Sequence, residues 1–172
     1  EISLGLVGSE MCIRDRYCLE MRETMKIKTR YFGEIDVDDS KIVHFENGLF
    51  GFEEYKDYTI LYDSEGEETP FFSWLQCTTK QSLAFPVVNP QKVREDYDPV
   101  VEDELLRGLG EFGEDDLVVL VLATIPKEVE KTSVNLKAPL IINAGTRKGV
   151  QLVADNQDYE IKHFIMKTDR EV

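Results

Sequence analysis

The chain has 172 residues, 42% of them hydrophobic and 31% charged, a composition that supports one folded domain with a real core. Its 34 acidic and 20 basic side chains give a formal net charge of −14, which speaks against direct binding to nucleic acid or to an anionic membrane surface, since both demand a basic face. The longest nearly apolar run, "LVVLVLATIP" from Leu117 to Pro126, is about half of the ~20 residues a membrane helix needs and reads as a buried strand.

The opening "EISLGLVGSEMCIRDRYCLEMRET" has neither the basic start nor the apolar stretch of a signal peptide. Residues 1–24 read as a leader foreign to the domain, with Met25 as the natural start of a domain running to residue 168 and a tail over 169–172. Without the five acids and three bases of that leader the net charge is −12. The leader also holds Cys12 and Cys18; three cysteines with no metal spacing fit a reducing compartment without a disulfide framework. Cys77, beside Leu75, reads as a core thiol.

From Met25 the chain alternates as a half-exposed strand does, with Ile27, Thr29 and Tyr31 against Lys26, Lys28 and Arg30. Gly33 interrupts it before Ile35 and Val37 resume, "DVDDSK" turns, and Ile42, Val43 and Phe45 form a further strand. In "FENGLFGFEEY", Phe45, Leu49, Phe50 and Phe52 are expected to staple a loop over one end of the fold, with Gly48 and Gly51 in turns. The competing reading leaves one aromatic exposed as an anchor for a partner. Strands are expected over Tyr58–Asp63, Pro70–Cys77 and Leu83–Pro90, the last near an edge or bulge because Pro86 cannot donate to a ladder.

A single short acidic helix is expected over about 98–109. Asp98 would cap it, Pro99 would sit in its first turn, Val101, Leu105 and Leu109 would form its buried stripe, and Gly108 and Gly110 would end it. Then come Leu117–Ile125, the block "TSVNLKAPLIINAGTRKGVQLV" from Thr132 to Val153, and the alternation of Tyr159–Ile165. Many short strands with one helix predict a mainly β single domain, an antiparallel sheet closed into a small barrel or sandwich.

Catalytic constellations are thin. His44 and His163 each lie inside a strand pattern without a second ligand at metal spacing. "GLGEFG" (Gly108–Gly113) follows a helix rather than a strand, which removes the phosphate-cradling geometry of a dinucleotide fingerprint. A barrel could bring two carboxylates together for acid–base work, but among 34 acids chance proximity is the ordinary outcome. The charge itself is uneven: Lys92–Asp116 holds ten acids against three bases, a net −7. That reads either as a solvated surface or as a face that steers a cationic protein.

The segments "FENGLFGFEEYKDYTIL", "PFFSWLQC", "LAFPVVNPQKVREDYDP", "DDLVVLVLATIP", "TSVNLKAPLIINAGTRKGVQLV" and "YEIKHFI" occur in this order. Together, over Met25 to Met166, they resemble the flagellar assembly factor FliW family, most specifically around Asn135-Leu136, Pro139, Asn143 and Gln151. The resemblance implies a bacterial cytoplasmic protein with a small barrel-like β fold, without enzymatic activity and without a cofactor or metal. It implies two partners: flagellin before export, and CsrA, a small basic RNA-binding translational repressor. Flagellin that accumulates would occupy the factor and free the repressor; secretion would release the factor to antagonise it.

Physical reasoning places the regulator contact on Glu95, Asp96 and Asp98, with Glu102 and Glu104 beside them. Leu136, Pro139, Leu140 and Ile142 are expected to pack the barrel, while Asn135, Asn143 and Gln151 either hydrogen-bond the turns or meet a partner. Two rivals stay open. A chaperone serving only flagellin's terminal helices predicts an exposed apolar groove. A small-ligand binder or enzyme using paired carboxylates predicts a deep pocket with perturbed acids.

Overall fold

The computed structural model describes residues 24–62, 70–113 and 115–166; apart from Thr24, the expected leader lies outside them, as does the tail. The first alternation forms a hairpin in which β1 (Thr24–Lys28) pairs antiparallel with β2 (Glu34–Asp38), Ile27 opposite Ile35. Strand character stops at Lys28 and does not reach Tyr31. The Thr29 hydroxyl donates to the Gly33 carbonyl at 2.7 Å and accepts from the Phe32 N–H at 2.9 Å, closing a turn that competes with extended pairing. Tyr31 then lies against Trp74, ring centroids 4.2 Å apart.

Five strands follow as a meander: β3 (Ile42–Phe45), β4 (Asp57–Leu61), β5 (Ser73–Cys77), β6 (Ala84–Val88) and β7 (Leu117–Thr124), each antiparallel to the next. One flank of β7 is taken in succession by β8 (Ser133–Val134) and β9 (Leu140–Asn143), with the chain detouring between them. β10 (Lys148–Gln151) pairs antiparallel with β9 and parallel with β3, and β11 (His163–Phe164) extends the short sheet beyond β8.

The ring β3–β4–β5–β6–β7–β9–β10 closes into a barrel of seven strands, so of the two expected architectures the barrel is the one formed. Strictly antiparallel pairing is corrected at one place. An odd ring cannot alternate direction all the way round, and the parallel pair β3–β10 absorbs the mismatch over only two residues, Lys148 opposite His44 and Gly149 opposite Phe45. Gly149 makes that approach possible, since a Cβ there would come within 2.6 Å of the Phe45 ring. Pro86 lies in an interior strand, not at a sheet edge. Its tolerance has a local cause: β6 pairs with β7 only at Val87 and Val88, so Pro86 is opposite a ladder partner on the β5 side alone.

Val43, Phe45, Leu75, Cys77, Val87, Leu140 and Ile142 fill the barrel, and Leu49 closes it from the loop after β3. Pro139 is buried, and Leu136 is buried too, but in a second cluster with Val88, Tyr97, Val121 and Tyr159 and not inside the barrel as expected. In that loop Gly48 and Gly51 take φ +67° and +84°. Phe45 and Leu49 are buried, Phe52 is partly exposed but packs edge-on against Phe85 at 5.0 Å, and Phe50 stays exposed, so the staple reading fails clearly at Phe50.

The helix is shorter than expected: α1 (Asp103–Leu106), then a single 3-10 turn over Arg107–Leu109 that Gly110 ends at φ +83°. Asp98 does not cap it. The cap position is Glu102, without a side-chain cap bond, and the stretch before it is held non-helical by tertiary bonds. The Asp98 N–H donates to the Tyr159 hydroxyl at 2.7 Å, the Val100 N–H donates to Asn156 Oδ1 at 2.7 Å, and Asn156 Nδ2 donates to the Asp98 carbonyl at 3.1 Å. With its start moved, the buried stripe moves too. Leu109 packs with Ile141 and Leu152, Val101 and Leu106 flank them, and Leu105 is left exposed.

Candidate protein-binding face

The acidic face is built by two segments distant in sequence. After the turn Pro90–Lys92, capped by Asn89 Oδ1 at 3.0 Å from the Gln91 N–H, the chain from Val93 to Val100 lies against Asp155–Glu160. Tyr97 and Tyr159 form the seam, stacked at 4.7 Å with 17° between their planes. The buried Tyr97 hydroxyl donates to the Leu136 carbonyl at 2.8 Å. Burial, and then the neighbouring Tyr159, hold the Tyr97 phenol well above its ordinary range, so it remains a neutral donor at any physiological pH.

Arg94 locks the two segments together. Its Nε donates to Asp96 Oδ1 at 2.9 Å, its second terminal nitrogen (Nη2) donates to Asp158 Oδ2, and its guanidinium sits 4.8 Å from the centroid of the Tyr159 ring. Hydrogen bonding to Arg94 holds the carboxyls of both Asp96 and Asp158 below their ordinary 3.8, so both stay ionised. Glu95 and Asp98 project from the same stretch and are exposed. Asp155, whose N–H donates to the Val100 carbonyl at 2.8 Å, lies beside it. One arginine thus orders a surface on which Glu95, Asp96, Asp98, Asp155 and Asp158 leave an excess of negative charge.

Of the expected regulator-contact residues, the structure brings Glu95, Asp96 and Asp98 together on this framework. Glu102 and Glu104 are exposed but belong to the start of α1, and neither side chain bonds to the Arg94 cluster among the described residues. Asp155 and Asp158 escaped sequence reading because nothing local marks them; the only signal was Tyr159 next to Asp158, an aromatic that could pair with Tyr97.

Asn135, Asn143 and Gln151 are placed as internal struts. Asn135 Oδ1 accepts from the N–H groups of Lys137 and Ala138, both at 3.1 Å, shaping the detour between β8 and β9. Asn143, 1% exposed, uses its whole amide. Its Oδ1 accepts from Gly145 at 2.9 Å and Thr146 at 3.2 Å, and its Nδ2 donates to the carbonyls of Leu109 at 3.0 Å and Glu111 at 3.1 Å. It fastens the end of the helical segment to the β9–β10 turn. Gln151, also buried, accepts the Phe50 N–H at 2.9 Å and donates to the Ala138 carbonyl at 3.4 Å.

A second feature adjoins the loop that Gln151 anchors. A groove of about 810 Å³ runs between residues 46–53, α1 with its 3-10 extension, and β10, and its rim carries Phe50, Leu105 and Val153, which are 54%, 48% and 54% exposed. At the barrel end His44 Nδ1 contacts Asp57 Oδ1 at 2.7 Å. Among the described residues no group of three or more His, Cys, Asp or Glu is placed to hold a metal ion, and no helix is long and apolar enough to cross a membrane.

Comparison with known proteins agrees with this architecture. The family model described as FliW protein matches residues 26–165. The flagellar assembly factor FliW of Lachnospira eligens is 47% identical over 142 residues, covering 82% of this chain and 94% of that protein. The protein of the same name from Lachnoclostridium phytofermentans is 45% identical over 139 residues, 81% and 89% of the two chains. A crystal structure of the flagellar assembly factor FliW superposes with a TM-score of 0.76 at 31% identity, covering 84% of this chain and 99% of that one. With the matching family model spanning nearly all the described residues and a barrel of the same shape, this chain belongs to the FliW family.

Proposed function

We propose that the chain acts without catalysis, in the bacterial cytoplasm, by binding two proteins in exchange: flagellin before its export, and the basic translational repressor CsrA, which it antagonises when flagellin is absent. The observation that supports the CsrA contact is the acidic face of Glu95, Asp96 and Asp98 with Asp155 and Asp158, made rigid by the Tyr97–Tyr159 stack and the Arg94 bridge. A preformed surface of one sign raises encounter with an oppositely charged partner by ~10–10³-fold and loses that advantage as salt rises. Glu102 and Glu104, on α1, would extend the contact. Asn135 would serve it indirectly, by shaping the detour whose Leu136 carbonyl accepts the Tyr97 hydroxyl, while Asn143 and Gln151 would hold the helical segment and the loop after β3.

Calorimetry with purified CsrA and flagellin, separately and together at low and high salt, tests the reading. Salt-sensitive CsrA binding, weakened by a Glu95/Asp96/Asp98→Ala triple variant and displaced by flagellin, is the expected result. Flagellin binding with no CsrA binding would reduce the protein to a flagellin chaperone, a reading that the apolar groove favours. Binding to neither would defeat both.

A further inference from the structure

The groove beside β10 has a lining that its position alone does not explain. Lys148, Gly149, Val150, Gln151, Leu152 and Val153 all contribute to it, six consecutive residues. A cavity against the face of a strand is lined by alternate residues, because successive side chains point to opposite sides. An unbroken run means that the groove lies along the strand's edge. The topology says why that edge is open. β3 pairs with β10 only as far as Phe45 and Gly149. The chain after Phe45 then turns off through Gly48, whose N–H donates back to the Phe45 carbonyl at 2.9 Å, while the chain of β10 continues to Val153.

The hydrogen bonds fix which backbone groups face the gap. The N–H groups of Leu152 and Ala154 donate towards the β9 side, to the carbonyls of Pro139 at 3.1 Å and Lys137 at 2.8 Å. By the alternation of an antiparallel ladder, the main-chain groups of Gln151 and Val153 point the other way, into the groove, where no strand pairs with them among the described residues. We propose that the groove is a strand-acceptor site: an extended segment of a protein partner, apolar at alternate positions and bearing a carboxylate at the end that meets Lys148, lies along β10 as an added strand.

Three features suit that occupant. Past Gly149, where the pairing with β3 ends, the open edge from Val150 to Val153 accommodates about four residues of extended chain at ~3.3 Å per residue. Phe50 and Leu105 flank it as apolar walls, and Phe50 is held in place although exposed, because its own N–H is tied to buried Gln151. Lys148 is the one lysine or arginine in the lining, which also holds Glu46 and Glu53, and it makes no ion pair among the described residues, so a carboxylate at that end would have a cation to meet. Main-chain pairing would supply affinity and the flanking side chains selectivity. This groove adjoins the acidic face through α1 and Asp155 but is lined by different residues, and the proposal stands whichever partner uses that face.

The test pans a phage-displayed library of short random peptides on the whole chain, with the Phe50→Ala/Leu105→Ala variant as counter-selection. Both substituted residues are exposed, and circular dichroism confirms that the variant folds. Expected are peptides with alternating apolar residues and an acidic terminus whose synthetic forms slow amide exchange at Gln151 and Val153. N-methylation at alternate peptide positions should abolish binding, and Lys148→Glu should weaken it about tenfold and shift selection to basic termini. Absence of enrichment over the counter-selected variant overturns the proposal. So does a helical consensus that tolerates N-methylation and leaves Gln151 and Val153 unprotected.

Discussion

At the scale of single residues, two buried polar groups stand in contrast, one fully used and one not. Asn143 makes four hydrogen bonds that join the 3-10 end of the helical segment to the β9–β10 turn. Asn143→Ala therefore leaves buried carbonyls and N–H groups unpaired, and chemical denaturation should show a loss of about 2–3 kcal/mol. Tyr58 is the converse: its hydroxyl is buried with no protein partner among the described residues, and burial raises its phenol above the ordinary range. Tyr58→Phe should leave the denaturation midpoint unchanged or raise it, by up to about 1 kcal/mol. The Asp96 and Asp158 carboxyls titrate below 3.8 when folded. Depressed carboxylates contribute stability that is complete above their unfolded value and is lost as pH falls through the folded one. Carboxyl NMR titration should accordingly find both midpoints below the ordinary aspartate value and see them rise in Arg94→Ala; midpoints that the substitution leaves unchanged would contradict the bridge. Sequence alone named Asn143 and Asp96 but not their partners, because Leu109 and Asp158 reach them only through the fold.

Among the elements, the barrel strands were the most legible, since period-2 alternation is imposed locally by the pleat. The helix was the least. Asp98, Pro99 and the leucine spacing carry the local marks of a helix start, yet bonds from Asn156 and Tyr159, some sixty residues away, hold that stretch open. Tertiary hydrogen bonds overrode a propensity worth only tenths of a kcal/mol per residue. The loop after β3 was half legible: its glycines declared turns, but which aromatics would be buried depended on where β10 ran. Gly48 combines φ +67° with a would-be Cβ 2.6 Å from the Glu53 Cα. Gly48→Ala should destabilise by more than about 1 kcal/mol, whereas Gly51→Ala, where nothing lies within 4 Å, should cost only its φ strain; thermal melts of the two variants compare them directly.

For the molecule as a whole, the acidic face shows that net charge and its arrangement are separate facts. Composition revealed the excess; the fold chose which acids share a surface, drawing Asp155 and Asp158 to Glu95 and Asp96 across a tyrosine seam. Tyr159 carries no charge, yet Tyr159→Ala removes the stack, the bond to the Asp98 N–H and the ring under Arg94. Under the proposed function it should weaken CsrA binding about as much as removing one of the acids, while Tyr159→Phe, which keeps the ring, should retain most of it. Calorimetry on the pair tests this, and equal losses would place the effect elsewhere. The ring of strands has a further consequence in time. β10 sits between β3 and β9 and is the last strand of the barrel to be made, so the cylinder cannot shut until Gln151 has left the ribosome. Residues 155–160, on which the acidic face leans, emerge later still. A nascent chain therefore presents neither the edge groove nor the ordered acids until residues 155–160 have emerged, and the two surfaces then form nearly together.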